Sequence, residues 1–146
     1  MFRGNCPTRL DEKGRLKIPA DFKHEIDRAY DSQFYLTSRD KKVIELYPLK
    51  EWEQIEDRLA KLPTSNLAVQ KFLNITSFYG QSVTMDPQGR LTVSDRLRGL
   101  FNLKGEVAIV GKLNRMEIRP MDEFAEYVNA NSISDEENDQ LSDLGI

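Results

Sequence analysis

A twelve-residue stretch occurs twice in this sequence. Residues 11–22 are Asp-Glu-Lys-Gly-Arg-Leu-Lys-Ile-Pro-Ala-Asp-Phe, and residues 86–97 are Asp-Pro-Gln-Gly-Arg-Leu-Thr-Val-Ser-Asp-Arg-Leu. At an offset of 75 residues the two copies share the motif Asp-x-x-Gly-Arg-Leu, and two of the apolar positions that follow it are alike. Self-similarity at a fixed spacing indicates a fold assembled from repeated units.

A second pair of segments extends the repeat. Residues 44–52, Ile-Glu-Leu-Tyr-Pro-Leu-Lys-Glu-Trp, align with residues 116–124, Met-Glu-Ile-Arg-Pro-Met-Asp-Glu-Phe. Half-domains of this size are too small to bury a sufficient core alone, so we expect the two copies to pack together as one pseudo-two-fold unit. The predicted organisation is repeat 1, a helical linker, repeat 2 and an acidic C-terminal extension, at residues 5–52, 53–80, 81–124 and 125–146.

The motif itself is typical of a turn between short strands. Its Asp can accept hydrogen bonds from the backbone two residues further on, and its Gly permits a positive φ. We therefore predict a β-hairpin or a tight strand–loop–strand unit at each copy, joining residues 8–10 to 16–18 and 82–85 to 91–93. Alternating apolar and polar residues indicate a second hairpin in each repeat, at 34–38 with 43–47 and at 107–111 with 116–119.

Helical signals follow the strands. Pro19 suits the first position of a helix, Ser94 suits an N-cap, and Pro48 and Pro120 each precede a helix. Apolar spacing predicts further helical residues at 49–62 and 66–78, and Trp52 and Phe124, at equivalent repeat positions, are predicted core anchors. The fold class is therefore mainly β with helices (α+β).

The charge of the chain is unevenly distributed. The net charge is −3, from 21 basic and 24 acidic residues, but residues 122–146 hold eight acids and no base. Residues 1–121 therefore carry 21 bases and 16 acids, a net charge of +5. A region with this positive charge can bind a polyanion although the whole chain is negative. The composition of residues 130–146 favours a flexible tail; the alternative is a short helix opened by a capping box from Ser134 to Glu137.

Several classes of protein are poorly supported. No apolar run is long enough to span a membrane, and no secretory signal is visible. One cysteine and one histidine, Cys6 and His24, do not make a disulfide framework or a Cys/His zinc site, and no glycine-rich phosphate loop is present. The single Cys and His leave an all-carboxylate metal site open. We predict a cytoplasmic protein that is not an enzyme, and we expect it to need no cofactor or metal.

The sharpest candidates for function are the two motif arginines, Arg15 and Arg90. Each is interpreted either as an exposed guanidinium that its Asp orients toward phosphates or a guanine edge, or as half of a structural ion pair that staples the turn. Residues 1–23 carry a net charge of +3 against +1 for residues 76–98, so the first copy is predicted to dominate binding of nucleic acid. The predicted DNA contacts are Arg3, Arg9, Lys13, Arg15 and Lys17. The predicted motif residues of structural importance are Asp11, Gly14, Asp86, Gly89 and Arg90.

Four segments in order carry a family resemblance: Met1-Phe2-Arg3-Gly4, Asp11-x-Lys13-Gly14-Arg15-Leu16-x-Ile18-Pro19, Tyr47-Pro48-Leu49-x-x-Trp52 and Asp86-x-x-Gly89-Arg90. Over about residues 1–128 the chain resembles the MraZ family of bacterial transcriptional regulators, in the AbrB/SpoVT-like swapped-hairpin superfamily. The resemblance implies a pseudo-two-fold β-barrel built from two tandem AbrB-like repeats with flanking helices. It also implies protomers that assemble into a ring, typically an octamer, and that bind short direct repeats of double-stranded DNA upstream of their own operon.

Two function classes follow. The first is a sequence-specific DNA-binding regulator associated with the nucleoid, and we expect it to self-associate through its barrel edges and the helices around residues 49–78. The second is a non-enzymatic interaction scaffold, in which the Asp–Arg pairs are staples and the acidic extension recruits a basic partner.

Overall fold

The computed structural model describes all 146 residues. Its elements follow the same order in each repeat: two strands, a helix, a two-stranded hairpin and a second helix. The first repeat comprises β1 (Asn5–Arg9), β2 (Arg15–Lys17), α1 (Ala20–Ala29), β3 (Gln33–Thr37), β4 (Ile44–Pro48) and α2 (Leu49–Ala60). After α3 (Leu67–Phe78), the second comprises β5 (Gln81–Thr84), β6 (Arg90–Thr92), α4 (Asp95–Leu100), β7 (Glu106–Lys112), β8 (Arg115–Pro120) and α5 (Met121–Ala130), and α6 (Asp135–Asp143) follows.

The two repeats exchange strands. Six strands form one antiparallel sheet in the order β1-β7-β8-β4-β3-β5, so the first strand of each repeat pairs with the hairpin of the other repeat. The remaining strands, β2 and β6, pair with each other as a separate two-stranded ribbon. This exchange gives the swapped-hairpin, pseudo-two-fold arrangement that the resemblance implied.

The strands do not close into a barrel. The edge strands β1 and β5 each have one partner, and the only pairing between β1 and β2 is an isolated bridge from Leu10 to Leu16. The ribbon strands are three residues long and are followed by the helix-opening Pro19 and Ser94, so they are too short to extend the ladder. The β-barrel that the resemblance implied is therefore not closed: it is an open six-stranded sheet with a ribbon beside it.

At each motif we predicted either a β-hairpin or a strand–loop–strand unit, and the structure has the strand–loop–strand unit. The two strands of each unit do not form a hairpin with each other, because their main partners are strands of the other repeat. The hairpins predicted at 34–47 and 107–119 are confirmed as β3–β4 and β7–β8.

The helices follow their predicted signals with small shifts at the ends. Helix α2 ends at Ala60, two residues before the predicted end, and Asn66 caps α3 by accepting a hydrogen bond from the backbone N–H of Val69. Ser94 caps α4 as predicted. Pro19 occupies the N-cap position of α1, with an extended ψ of 148°, one residue before the predicted first helical position. A shift of one residue is within the usual variation of helix ends.

The prediction of a flexible tail is wrong, and its capping-box alternative is confirmed. Helix α6 is opened by a reciprocal pair of bonds, in which the Ser134 side chain accepts from the Glu137 N–H and the Glu137 carboxylate accepts from the Ser134 N–H. Composition favoured disorder because it averages over the segment, whereas these local bonds satisfy the first turn of the helix.

Both repeats contribute to one core. The leucines of the ribbon, Leu16 and Leu91, are fully buried and belong to the same apolar cluster as Phe34 and Ile109 of the sheet. Trp52 is buried as predicted and stacks on Tyr35 with ring centroids 4.9 Å apart. Its repeat equivalent Phe124 is only half-buried, beneath the guanidinium of Arg119. None of the six helices combines the length and hydropathy that a membrane crossing requires.

Candidate nucleic-acid interface

The ribbon brings the two motif copies together. Its register pairs Arg15 with Thr92, Leu16 with Leu91, and Lys17 with Arg90. Because successive strand residues point to opposite faces, the buried leucines occupy the inner face and the other four residues occupy the outer face. The outer face of the ribbon, which we define as Arg15, Lys17, Arg90 and Thr92, therefore carries three cations and no acid.

The first motif forms a tight loop around the Asp11 carboxylate. Oδ1 of Asp11 accepts hydrogen bonds from the backbone N–H groups of Lys13 and Arg15, each at 2.9 Å. Oδ2 accepts from the Nε of Arg15 at 2.6 Å. The N–H of Gly14 donates to the Asp11 carbonyl at 3.0 Å, and Gly14 has a φ of 79°, in the region where glycine carries no steric penalty.

The second motif repeats this geometry. Oδ1 of Asp86 accepts from the N–H groups of Gln88 and Arg90, each at 2.9 Å, and Oδ2 accepts from the Nε of Arg90 at 2.9 Å. Gly89 has a φ of 76°. The two loops are thus equivalent in their hydrogen bonding, although their neighbouring charges differ.

Arg15 and Arg90 are each ion-paired and partly exposed. Within each guanidinium only Nε bonds to the Asp, and the two terminal nitrogens of Arg15 and of Arg90 have no hydrogen-bond partner within the chain. About a third of each side chain is exposed, 34% for Arg15 and 30% for Arg90. The ion pair therefore orients the guanidinium and leaves its terminal nitrogens available to a ligand.

Each loop is also supported by the other repeat. The N–H of Val93 donates to the Gly14 carbonyl and the N–H of Ile18 donates to the Gly89 carbonyl, both at 2.9 Å. The side chain of Arg98 in α4 packs against Gly14, where its Nε donates to the Val93 carbonyl. This support across repeats fixes the positions of both arginines relative to each other.

Two supporting cations were not among the candidates from sequence. Lys23 of α1 packs against Gly89 as Arg98 packs against Gly14, and these two residues are themselves separated by the 75-residue offset. The sequence did contain a signal for them, because both repeats have a basic residue at this position.

The structure places some of the other predicted DNA contacts near Arg15 and one of them far from it. Lys13 is exposed in the first loop, and Arg9 is exposed at the end of β1 opposite Glu106. Arg3 lies at the other end of β1, beside the β7–β8 turn, and a strand of this length places it roughly 20 Å from Arg9. The structure therefore groups Lys13, Arg15 and Lys17 and separates Arg3 from them. No three His, Cys, Asp or Glu side chains come together in a metal-binding arrangement.

The loop carboxylates have altered acidity. The backbone N–H of Arg15 is the main cause that lowers the pKa of Asp11 below its ordinary value of 3.8, and the N–H of Arg90 does the same for Asp86. Since the pKa is lower in the folded state, the ionised carboxylates stabilise the loops above pH 3.8, and this contribution is lost as the pH falls through the lowered pKa.

We therefore expect Asp11 and Asp86 to titrate below pH 3.8 in the folded chain and at their ordinary pKa in urea. Carboxyl ¹³C shifts followed against pH measure both titrations. A folded-state midpoint equal to that in urea would show that the loop hydrogen bonds do not hold in solution.

Comparison with known proteins adds a family to this geometry. The MraZ family model, described as antitoxin-like, matches residues 1–75 and 80–143. The chain belongs to the MraZ family. The match has two segments, and each contains one copy of the motif. The family predicted from the four quoted segments is confirmed.

Three relatives illustrate the MraZ likeness. Proteins from Acidobacterium capsulatum and Koribacter versatilis are 46% and 48% identical over 146 and 147 residues, which cover the whole of both chains in each case. A protein from Acidithiobacillus ferrooxidans is 35% identical over 81% of this chain and 82% of its own length. Each of the three is named "Transcriptional regulator MraZ".

Proposed function

We propose that this chain is a sequence-specific, DNA-binding transcriptional regulator that contacts DNA through the outer face of the ribbon. The names of its relatives support the regulator role. The observation that carries the choice of surface is the pair of Asp-braced arginines, Arg15 and Arg90, whose terminal nitrogens are free on one face of the ribbon.

The ribbon fits the shape and chemistry of B-DNA. The major groove admits a two-stranded β-ribbon, and an arginine can donate two hydrogen bonds to O6 and N7 of guanine. An arginine already held at Nε loses less conformational entropy on binding than a free one. Lys13 and Lys17 are exposed beside Arg15 and suit phosphate contacts, which position the protein without reading sequence.

The register supports an anionic partner independently. Lys17 lies directly opposite Arg90, and like charges in that position destabilise a β-pair. Asp86 offsets part of the repulsion through its bond to Arg90. A polyanion across the outer face relieves the remainder, so the pair gains stability when DNA is bound.

The finer features of the proposal concern assembly and target. Protomers self-associate into a ring, octamer-like, that presents one ribbon per subunit to successive direct repeats in the promoter region of the chain's own gene. Each ribbon makes few contacts, and linking several raises the overall affinity by the effective concentration of the linked sites. The protein is non-enzymatic, cytoplasmic and associated with the nucleoid.

A binding titration on the DNA upstream of the chain's own gene tests the proposal. We expect that DNA to be bound more tightly than a shuffled duplex of the same composition, by at least about a thousandfold at physiological salt. Fluorescence anisotropy measures both affinities. Equal affinity for the two duplexes would contradict sequence-specific regulation, and the scaffold alternative would then stand.

A further inference from the structure

Helix α6 is specified at both ends although it is short. The capping box of Ser134 and Glu137 opens it, and at its other end Gly145 adopts a φ of 81° while the Ile146 N–H donates to the Leu141 carbonyl at 3.0 Å. A nine-residue helix is marginal in water, and caps of both kinds offset its fraying. Hydrogen bonds at both ends of the helix therefore help to maintain it.

Nearly the whole surface of this helix is exposed. Every residue from 131 to 146 is exposed except Leu141, which is half-buried. Leu144 is 75% exposed and Ile146 is 82% exposed, next to the acids of the helix. A capped helix with acidic and exposed apolar side chains suits a partner surface that is both cationic and apolar.

The chain itself offers such a surface. A hollow of about 390 Å³ lies where α2, α3 and the start of β8 meet, and no acidic residue lines it. We name it the arginine hollow. Its lining combines apolar side chains, from Leu59, Leu62 and Phe72, with guanidinium groups, from Arg39, Arg58 and Arg115.

The hollow keeps a positive charge after its internal ion pairs are counted. Arg39 and Arg115 both donate through Nε to the single carboxylate of buried Glu45, at 3.2 and 3.1 Å. Two guanidiniums on one carboxylate leave one positive charge. Arg58 adds a second, because it is exposed and its guanidinium has no hydrogen-bond partner in the chain. The terminal nitrogens of Arg115 also have none.

We propose that α6 and the residues after it dock into the arginine hollow of a second copy of this chain. Leu144 and Ile146 pack on the apolar residues of the hollow, and the acids of α6 face its guanidiniums. All side chains of α6 except Leu141 are exposed in their own chain, so the helix is not docked there and the occupant comes from another copy. This inference rests on the proposed self-association and names the surfaces that form it.

Such a contact is head-to-tail, because helix and hollow are different surfaces of one subunit. A heterologous contact of this kind repeats from subunit to subunit and closes into a ring when the rotation permits. The contact leaves the outer face of the ribbon free, since neither surface includes Arg15, Lys17 or Arg90.

Two full-length variants and their mixture test the inference. Leu144→Ser/Ile146→Ser removes the apolar residues of the helix, and Arg58→Glu reverses a charge in the hollow; all three sites are exposed, so folding should be retained. Matched controls are Val128→Ser on α5 and Lys50→Glu on α2, which lie outside both surfaces. Sedimentation velocity at micromolar concentration measures the species present.

We expect the unaltered chain and both controls to form the assembly and each variant to sediment as a monomer. The two variants mixed should form a 1:1 complex of twice the 16.9 kDa chain mass, because one intact helix then meets one intact hollow. Variants that assemble like the unaltered chain would overturn this contact and leave self-association standing. An unaltered chain that stays monomeric would overturn both, and a mixture that stays monomeric would overturn the pairing of helix with hollow.

Discussion

Arg15→Ala should reduce the affinity for the upstream DNA by about ten- to a hundredfold for each guanine contact that is lost. The substitution removes the free terminal nitrogens and the Nε bond to Asp11. Both backbone bonds to Oδ1 of Asp11 remain, so the loop should keep its shape. Because several subunits engage the DNA together, the loss in the assembled protein should be larger than in a single subunit.

Three further variants show which property of Arg15 matters. Arg15→Lys keeps the charge but lacks the planar fork, so we expect it to retain phosphate attraction and lose sequence preference. Lys50→Ala removes an exposed cation far from the ribbon in sequence and should change little. The measurement is an anisotropy titration at two salt concentrations, with the oligomeric state checked for each variant.

The effect of Arg90→Ala shows how much each copy of the motif contributes to DNA binding. The lower charge around the second motif predicts a role mainly in stability for Arg90. The structure places its free guanidinium nitrogens on the same outer face, so we expect Arg90→Ala to weaken DNA binding as well, though less than Arg15→Ala. If Arg15→Ala binds DNA like the unaltered chain and Arg90→Ala does not bind it, the roles assigned to the two arginines are reversed. Arg15→Ala that fails to assemble would show a structural defect instead of a lost contact.

Gly14→Ala should lower the free energy of unfolding by about 3 kcal/mol, of which the positive φ accounts for about 1–2 kcal/mol. The added Cβ would lie 2.6 Å from the carbonyl oxygen of Val93, which is backbone and also accepts the hydrogen bond from Arg98. Relief requires the two repeats to move apart at the N–H···O bond from Val93 to Gly14.

The second repeat supplies the matched control for this prediction. Gly89 has almost the same φ, but a Cβ there would meet only the Cδ and Cε of Lys23, at 3.2 and 3.3 Å. That side chain can move, so Gly89→Ala should lower the free energy of unfolding by about 1–2 kcal/mol, the conformational term alone. Urea denaturation measures both values. Equal losses at the two glycines would contradict the tight contact at Gly14.

Local signals were enough to predict the loops. The Asp and Gly of each motif determine the turn through bonds within five residues, and these were predictable from the sequence. The exchange of strands was not predictable from the residues alone, because β1 has equally apolar candidates for a partner nearby and far along the chain. It followed only from the family resemblance.

The placement of the cations shows the same limit. Lys17 beside Arg90 depends on the register of two strands 75 residues apart, and no local pattern encodes that register. Arg3 was grouped with Arg15 because they are close in sequence, whereas the extended β1 strand separates them. The support that Lys23 and Arg98 give to the opposite loops required the tertiary fold.

The outer face of the ribbon as the DNA contact is tested most directly by a photocrosslink from Thr92. This residue is exposed and uncharged and lies opposite Arg15, so a cysteine there alters no ion pair. In a Cys6→Ser background, the Thr92→Cys chain is labelled with benzophenone maleimide, bound to the upstream DNA and irradiated; Lys50→Cys is the matched control. We predict a crosslink to DNA from position 92 and none from position 50. A crosslink from position 50 with none from position 92 would contradict the assignment of the ribbon as the DNA-binding surface.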